Sequence, residues 1–97
     1  MEPEERGRIC TDAIKLYGTQ SQEWMIIEEM SELMKEICKH QRGKNNREHI
    51  IEEMADVYIM LEQARFMYKI PHEDINYMID VKLTRLRNRM RGADGND

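Results

Sequence analysis

The chain has 97 residues, a length that suits one domain and excludes a two-domain enzyme or a doubly wound nucleotide-binding sheet. Hydrophobic residues make up 40% of the sequence and charged residues 35%, so we expect a modest core beneath a heavily charged surface. The net charge of −4 argues against a protein that coats nucleic acid. No apolar run approaches the ~20 residues of a membrane span, and the acidic start is unlike a signal peptide. Cys10 and Cys38 belong to no Cys/His cluster, which indicates a reducing cytoplasm and no zinc site.

Four helical segments are predicted in chain order, and nothing in the sequence resembles alternating strands and turns. Gly18 is a natural stop for the first helix, and Thr19 followed by Gln22 resembles a capping box that opens the second. Pro71 ends the third helix. We expect helices over about residues 4–17, 19–41, 47–68 and 72–90. Short connections imply antiparallel neighbours, so the prediction is one all-α domain over residues 1–92, followed by a disordered tail over 93–97.

A seven-residue pattern occurs twice, 24 positions apart. The segment Ile26–Glu32 reads IIEEMSE, and Ile50–Asp56 reads IIEEMAD. Two copies at so short a shift do not make a solenoid. The repeat instead places the same pattern of acidic and apolar residues on two consecutive helices.

The carboxylates of this pattern form matched pairs. Glu29 and Glu32 are spaced i, i+3 on the second helix, as Glu53 and Asp56 are on the third, so each pair shares one helix surface. Glu29 borders an apolar arc that we expect to be the core face of its helix, made of Ile26, Ile27, Met30, Leu33, Met34, Ile37 and Cys38. The third helix has a similar main arc, made of Ile50, Met54, Val57, Tyr58 and Leu61.

Glu53 and Asp56 also share their own face with apolar residues, namely Met60, Ala64 and Met67. Carboxylates on such a face repel each other and lose solvation, which raises their pKa values, and a bound cation compensates most simply. Glutamate-rich helix faces are more often merely solvating, but two matched pairs on consecutive helices favour a site. Packing the two main arcs together would place four carboxylates around one gap, a ligand set that suits Mg²⁺ or Mn²⁺. The absence of histidine argues against a di-iron bundle.

At these residues the sequence resembles the MazG-like superfamily of all-α nucleoside triphosphate pyrophosphohydrolases. The family motif is EExxE, a spacer, then ExxD. It is matched by Glu28-Glu29-Met30-Ser31-Glu32 and, after twenty residues, by Glu53-Met54-Ala55-Asp56. The likeness extends from about Tyr17 to Arg89.

The resemblance implies a four-helix bundle that hydrolyses a nucleoside or deoxynucleoside triphosphate to the monophosphate and pyrophosphate. It implies four Mg²⁺ ligands, Glu29, Glu32, Glu53 and Asp56, with Mn²⁺ as an alternative ion. Glu28 would orient or deprotonate the attacking water, and Glu52 would have no role.

The resemblance also implies substrate contacts outside the motif. Lys82 and Arg85 of the fourth helix would bind the phosphates, although cations near a helix C-terminus are also favoured by the helix dipole. Gln22 and Trp24 would contact the base, although a Trp on this helix more often belongs to a core. Some relatives carry Asn where this chain has Leu86, which leaves the base and sugar contacts open.

The third helix is apolar on several sides, and one short chain cannot easily cover all of them. We therefore expect a homodimer, or a dimer of dimers, that completes the bundle. Alternative functions are a phosphoribosyl-ATP pyrophosphohydrolase, a pyrophosphatase specific for dUTP or dCTP, and a non-catalytic helical dimerisation module. Apart from the substrate and a second copy, no nucleic-acid or membrane partner is expected.

Overall fold

The computed structural model describes residues 1–92, which form four α-helices and no strand. The helices are α1 (Pro3–Tyr17), α2 (Thr19–Gln41), α3 (Arg47–Met67) and α4 (His72–Met90). The predicted all-α class is confirmed, and the predicted helix boundaries agree almost to the residue. The disorder predicted for residues 93–97 concerns residues outside the described range.

The ends of the helices have local causes. Gly18 takes a φ of 91°, a value that favours glycine, and its N–H donates to the carbonyl of Ile14 at 2.8 Å to close α1. The capping box predicted at Thr19 is wrong, because α2 begins there without any side-chain cap. The reason is that the Gln22 side chain turns towards α3. Pro71 stands immediately before α4, where its fixed φ and missing N–H are tolerated.

The most extensive packing joins α2 and α3, which are antiparallel, and α1 lies against both. Cys10 is the buried residue of α1. At Gly7, α1 lies beside α3, where a Cβ would be in ordinary van der Waals contact, 3.5 Å, with Cζ of Phe66. The first three helices therefore form one packed unit.

The seam between α2 and α3 is largely polar. Near one end, Gln22 donates through Nε2 to Oε1 of Gln63 at 2.7 Å, and both residues are buried. Near the other end, Asn46 donates through Nδ2 to the backbone carbonyl and to Oε1 of Glu36, each at 2.9 Å. Met60 is the one buried apolar residue of α3.

The main apolar arcs of α2 and α3 do not pack against each other, so that expectation was wrong. Met34, Ile37 and Cys38 of α2 and Tyr58 and Leu61 of α3 are exposed. Periodicity located these arcs correctly on each helix. However, the two helices meet about 90° away, along the edge that carries the acids. Most residues of both arcs are consequently left exposed in the single chain, while Ile26, Leu33, Ile50 and Val57 are partly buried.

The fourth helix makes no substantial contact with α1, α2 or α3. Every described residue of α4 except Val81 and Asn88 is exposed. The radius of gyration is 16.7 Å, above the ~13 Å typical of a compact domain of about 100 residues. In residues 1–92 no helix is long and apolar enough to cross a bilayer.

Candidate metal site

Three carboxylates meet in the middle of the α2–α3 seam. Glu29 of α2 and Glu53 and Asp56 of α3 each offer an oxygen, and these oxygens lie within 4.8 Å of one another. All three residues are partly buried. The sequence predicted that these three acids would meet, and the structure brings them together. We call Glu29, Glu53 and Asp56 the acidic cluster.

One oxygen of the acidic cluster is buried and has no partner. Oε2 of Glu53 is shielded from solvent and accepts no hydrogen bond. Burial raises the pKa of Glu53, and the charges of Asp56, Glu32 and Glu36 raise it further. A desolvated carboxylate oxygen without a donor is costly unless a cation or a proton compensates for it.

Glu29 responds to the same crowding. Burial is the largest cause that raises its pKa to about 7. A hydrogen bond from protonated Glu29 to Asp56, together with the charges of Asp56, Glu53 and Glu28, contributes the rest. The raised pKa means that the cluster takes up a proton near neutral pH, and a metal ion would compete with that proton.

This pKa predicts how the stability of the metal-free protein depends on pH. Because the folded state raises the pKa of Glu29 above its unfolded value, the folded state binds more protons, and that stabilisation is lost as pH rises through about 7. We expect the melting temperature of the metal-free protein to fall between pH 5.5 and pH 8 in ~20 mM buffer. In the Glu29→Gln variant, the fall of the melting temperature with pH over this range should be markedly smaller. Equal slopes in the two proteins, measured by circular dichroism, would contradict the crowding of these acids.

Glu32, the fourth expected ligand, lies outside the acidic cluster. Its Oε2 is 3.6 Å from Nζ of Lys35 in an exposed ion pair along α2. Its charge nevertheless contributes to the raised pKa of Glu53. An exposed pair of this kind contributes little stability, so Glu32 can leave Lys35 at small cost.

The remaining acids of the motif face solvent. Glu28 is exposed beside the acidic cluster, and its backbone carbonyl accepts a hydrogen bond from Oγ of Ser31 at 2.7 Å. Glu52 is exposed as well.

The expected substrate residues are spread over the molecule. Gln22 is buried and committed to Gln63, so its amide is not free at the surface. Trp24 is 64% exposed, contrary to the usual burial of a helix tryptophan. Lys82 and Arg85 are exposed on α4, which does not pack against the helices that carry the acids. Within one chain, the structure does not bring these four side chains together.

Sequence reasoning missed the buried partners at the two ends of the seam, Gln63, Glu36 and Asn46. Glu36 offered a signal, because it lies seven residues after Glu29 and about 20° from it around the helix. Asn46 offered a misleading one, since an Asn before a helix predicts an N-cap. Here its amide bonds to Glu36, and α3 has no side-chain cap.

A cavity of about 690 Å³ opens where α2 ends and α3 begins. Its lining combines the apolar side chains of Ile50, Ile51 and Met54 with those of His40, Lys44 and Arg47. No ion pair within residues 1–92 involves these three side chains. Positive charge is thus available at the loop end of the seam as well as on α4.

Comparison with known proteins found no matching family model, no matching curated protein and no matching solved structure. The likeness to MazG-like enzymes therefore rests on the acidic motif, its spacing and the helices that carry it.

Proposed function

We propose that the chain is a Mg²⁺-dependent nucleoside triphosphate pyrophosphohydrolase of the MazG-like type. One observation carries the proposal: three carboxylates from two helices converge, and one of their oxygens, Oε2 of Glu53, is buried without a partner. A merely solvating acidic face would leave its oxygens in water. The raised pKa of Glu29 supports the same interpretation.

The donor set fits a hard divalent cation. Every candidate ligand is a carboxylate oxygen, which suits Mg²⁺ or Mn²⁺ and not zinc. Glu29, Glu53 and Asp56 would hold the ion, and Glu32 would join them by leaving Lys35. Bound there, Mg²⁺ would supply neutralisation of the triphosphate charge and a bound water of lowered pKa.

The other side chains would act on the substrate and the water. Glu28 is exposed next to Glu29, so its free carboxylate can orient the attacking water and accept its proton. Attack on the α-phosphorus releases pyrophosphate and leaves the monophosphate. The cations of α4, Lys82 and Arg85, would bind the phosphates. Because α4 does not pack on its own α2–α3 layer, we propose that it is α4 of a second copy that reaches the site.

The exposed apolar faces support assembly as a homodimer. The exposed arcs of α2 and α3 lie on the same side of their layer, because the two helices are antiparallel and each arc is turned the same way from the seam. In residues 1–92 only two apolar residues, Cys10 and Met60, are buried. So small a core does not stabilise a domain of this length, whereas two layers packed face to face would form a four-helix bundle against which the exposed apolar stripe of each α4 also packs. A dimer of dimers is a further arrangement of the same faces.

The decisive experiment is a product assay. The purified protein is incubated with Mg²⁺ and each of the common NTPs and dNTPs, with phosphoribosyl-ATP as a separate substrate, and pyrophosphate and orthophosphate are measured. Pyrophosphate and a monophosphate in equal amounts would support the proposal. Orthophosphate alone, or no product, would reject it, and turnover of phosphoribosyl-ATP alone would favour the histidine-pathway alternative. Glu53→Gln protein prepared in parallel reports contaminating activity.

Divalent cations should stabilise the folded protein. Relief of the repulsion within the acidic cluster makes Mg²⁺ bind the folded state in preference to the unfolded one. At ~100 times the dissociation constant the gain is about 2.7 kcal/mol, which for a small domain raises the melting temperature by roughly 10–20 °C. We expect a rise of at least about 5 °C with Mg²⁺ or Mn²⁺ at pH 8 and a smaller one at pH 5.5, where protons compete. Sodium chloride of equal ionic strength is the control.

The non-catalytic dimerisation module predicts a different result in the same melting experiment. The exposed apolar faces would allow a non-catalytic module to dimerise just as they would an enzyme. This exposed apolar surface is the observation that favours the alternative. Its acids, however, would be ordinary surface groups. Equal melting temperatures in MgCl₂ and in the matched sodium chloride would support this alternative.

A further inference from the structure

We propose that two buried polar pairs, Gln22–Gln63 and Glu36–Asn46, are positioning residues that hold α2 and α3 in the register at which the acidic cluster converges. This inference rests on the proposed function. The two pairs lie on either side of the acidic cluster along the seam.

The spacing of the pairs matches that of the acids. On α2, Gln22, Glu29 and Glu36 are seven residues apart, so they lie along one strip of the helix. Gln63 follows Asp56 on α3 by the same interval, and Asn46, the residue immediately before α3, precedes Glu53 by it. Each acid of the cluster therefore has a hydrogen-bonded residue seven positions away that bonds across to the other helix.

The four polar side chains are nearly removed from solvent. Gln22 and Gln63 are 6% and 5% exposed, and Glu36 and Asn46 are each 8% exposed. Buried polar pairs contribute little net stability compared with apolar residues of the same size, but a mismatched register leaves both partners unsatisfied. A single Asn in a coiled-coil seam fixes register in this way.

Both carboxylate oxygens of Glu36 already accept a hydrogen bond, whereas Oδ1 of Asn46 is buried without a partner. Oε1 of Glu36 accepts from Asn46, and Oε2 accepts from Nζ of Lys39 at 3.2 Å. These donors lower the pKa of Glu36 below its usual range, so it stays ionised and committed. Asn46 in turn gives up capping α3 in favour of the bond to α2.

The acidic cluster needs such restraint. Three carboxylates within 4.8 Å repel one another and favour separation of the helices that carry them. A slip of one residue would move one helix by about 1.5 Å and turn its side chains by about 100°, which would separate Glu29 from Asp56. Hydrogen bonds at both ends of the seam oppose this movement.

The test measures the affinity for Mn²⁺, by electron paramagnetic resonance of the free ion, at a temperature where circular dichroism shows each variant to be folded. We expect Asn46→Ala and Gln63→Ala to weaken Mn²⁺ binding by about 10- to 100-fold, the usual effect of losing a group that orients metal ligands. The control is Cys10→Ala, which removes a buried group of α1 outside the seam and should change the affinity by less than about threefold.

Two further variants separate positioning from stability and from charge. The double variant Gln22→Met, Gln63→Met replaces the polar pair with apolar side chains of similar size, which should preserve folding but still weaken Mn²⁺ binding by at least about tenfold. Glu36→Gln keeps an acceptor for Asn46 and removes the charge, so it should retain wild-type affinity within about threefold, whereas Glu36→Ala should not.

The outcomes distinguish this inference from the proposed function. Wild-type protein that binds no Mn²⁺ would overturn both. Wild-type binding that persists unchanged in Asn46→Ala and in the double Met variant would overturn the positioning role alone. An equal loss in Cys10→Ala would show that affinity follows general stability, and this would also overturn it.

Discussion

Glu53→Gln is expected to lower the rate of pyrophosphate release by at least about a hundredfold. The substitution preserves the shape of the side chain but removes an anionic ligand whose Oε2 is buried at the centre of the acidic cluster. The metal-free variant should be at least as stable as the wild type, because a desolvated carboxylate that repels Asp56 is replaced by a neutral amide. Lower activity together with undiminished stability is characteristic of a functional residue and is not produced by damage to the fold.

Glu52→Gln is the matched control for this variant. Glu52 precedes Glu53 on the same helix, carries the same charge and is exposed, about 100° away around the helix axis. We expect its activity and its stabilisation by Mg²⁺ to remain within about twofold of the wild type. Equal losses at Glu52 and Glu53, or no loss at Glu53, would show that these acids do not form the site.

The convergence of the acids could be anticipated because the sequence repeats itself. Glu29 and Glu53 occupy equivalent positions of the two copies, as do Glu32 and Asp56. The two copies lie on antiparallel helices that pack against each other, so an approximate two-fold axis relates them. Glu29 of one copy therefore lies opposite Asp56 of the other. An i, i+3 pair on each helix is then enough to predict the acidic cluster.

The departure of Glu32 from this symmetry also has a local cause. Lys35 lies one turn after Glu32 and forms an ion pair with it at 3.6 Å. Its counterpart in the second copy, 24 residues further on, is Ile59, which cannot attract Asp56 in the same way. The repeat predicts which carboxylates can meet. In the metal-free state, the residue three positions further along the helix determines whether a given carboxylate joins the acidic cluster.

Helix boundaries could be predicted because the signals are local, such as Gly18 and Pro71. The surface that covers each helix face could not be predicted. Periodicity marks an apolar arc such as that of Met34 and Ile37, but it does not say whether the covering surface belongs to the same chain. Buried polar residues such as Gln63 are indistinguishable in sequence from surface residues, since burial depends on the neighbouring helix.

Converting the apolar face of α4 to an acidic one is expected to abolish dimerisation. Five apolar residues recur at intervals of three and four along α4, and all are exposed in the single chain: Ile75, Ile79, Leu83, Leu86 and Met90. An unpartnered helix that carries such a stripe is typical of an interface between subunits. The double variant Ile79→Asp, Leu83→Asp would bury two carboxylates in that interface, each at a cost of several kcal/mol.

We therefore expect wild-type protein to have twice the chain mass of 11.7 kDa, or four times that mass, in light scattering, and the double variant to have the mass of one chain. The variant should also melt at a lower temperature, since only Cys10 and Met60 form a buried apolar core within residues 1–92. If α4 supplies phosphate-binding cations to a second copy, the rate of pyrophosphate release should fall in the variant that no longer dimerises. Thr84→Glu adds an acid on the opposite face of α4 and should leave the mass unchanged. A wild-type mass of one chain, or an unchanged mass in the double variant, would contradict assembly through α4.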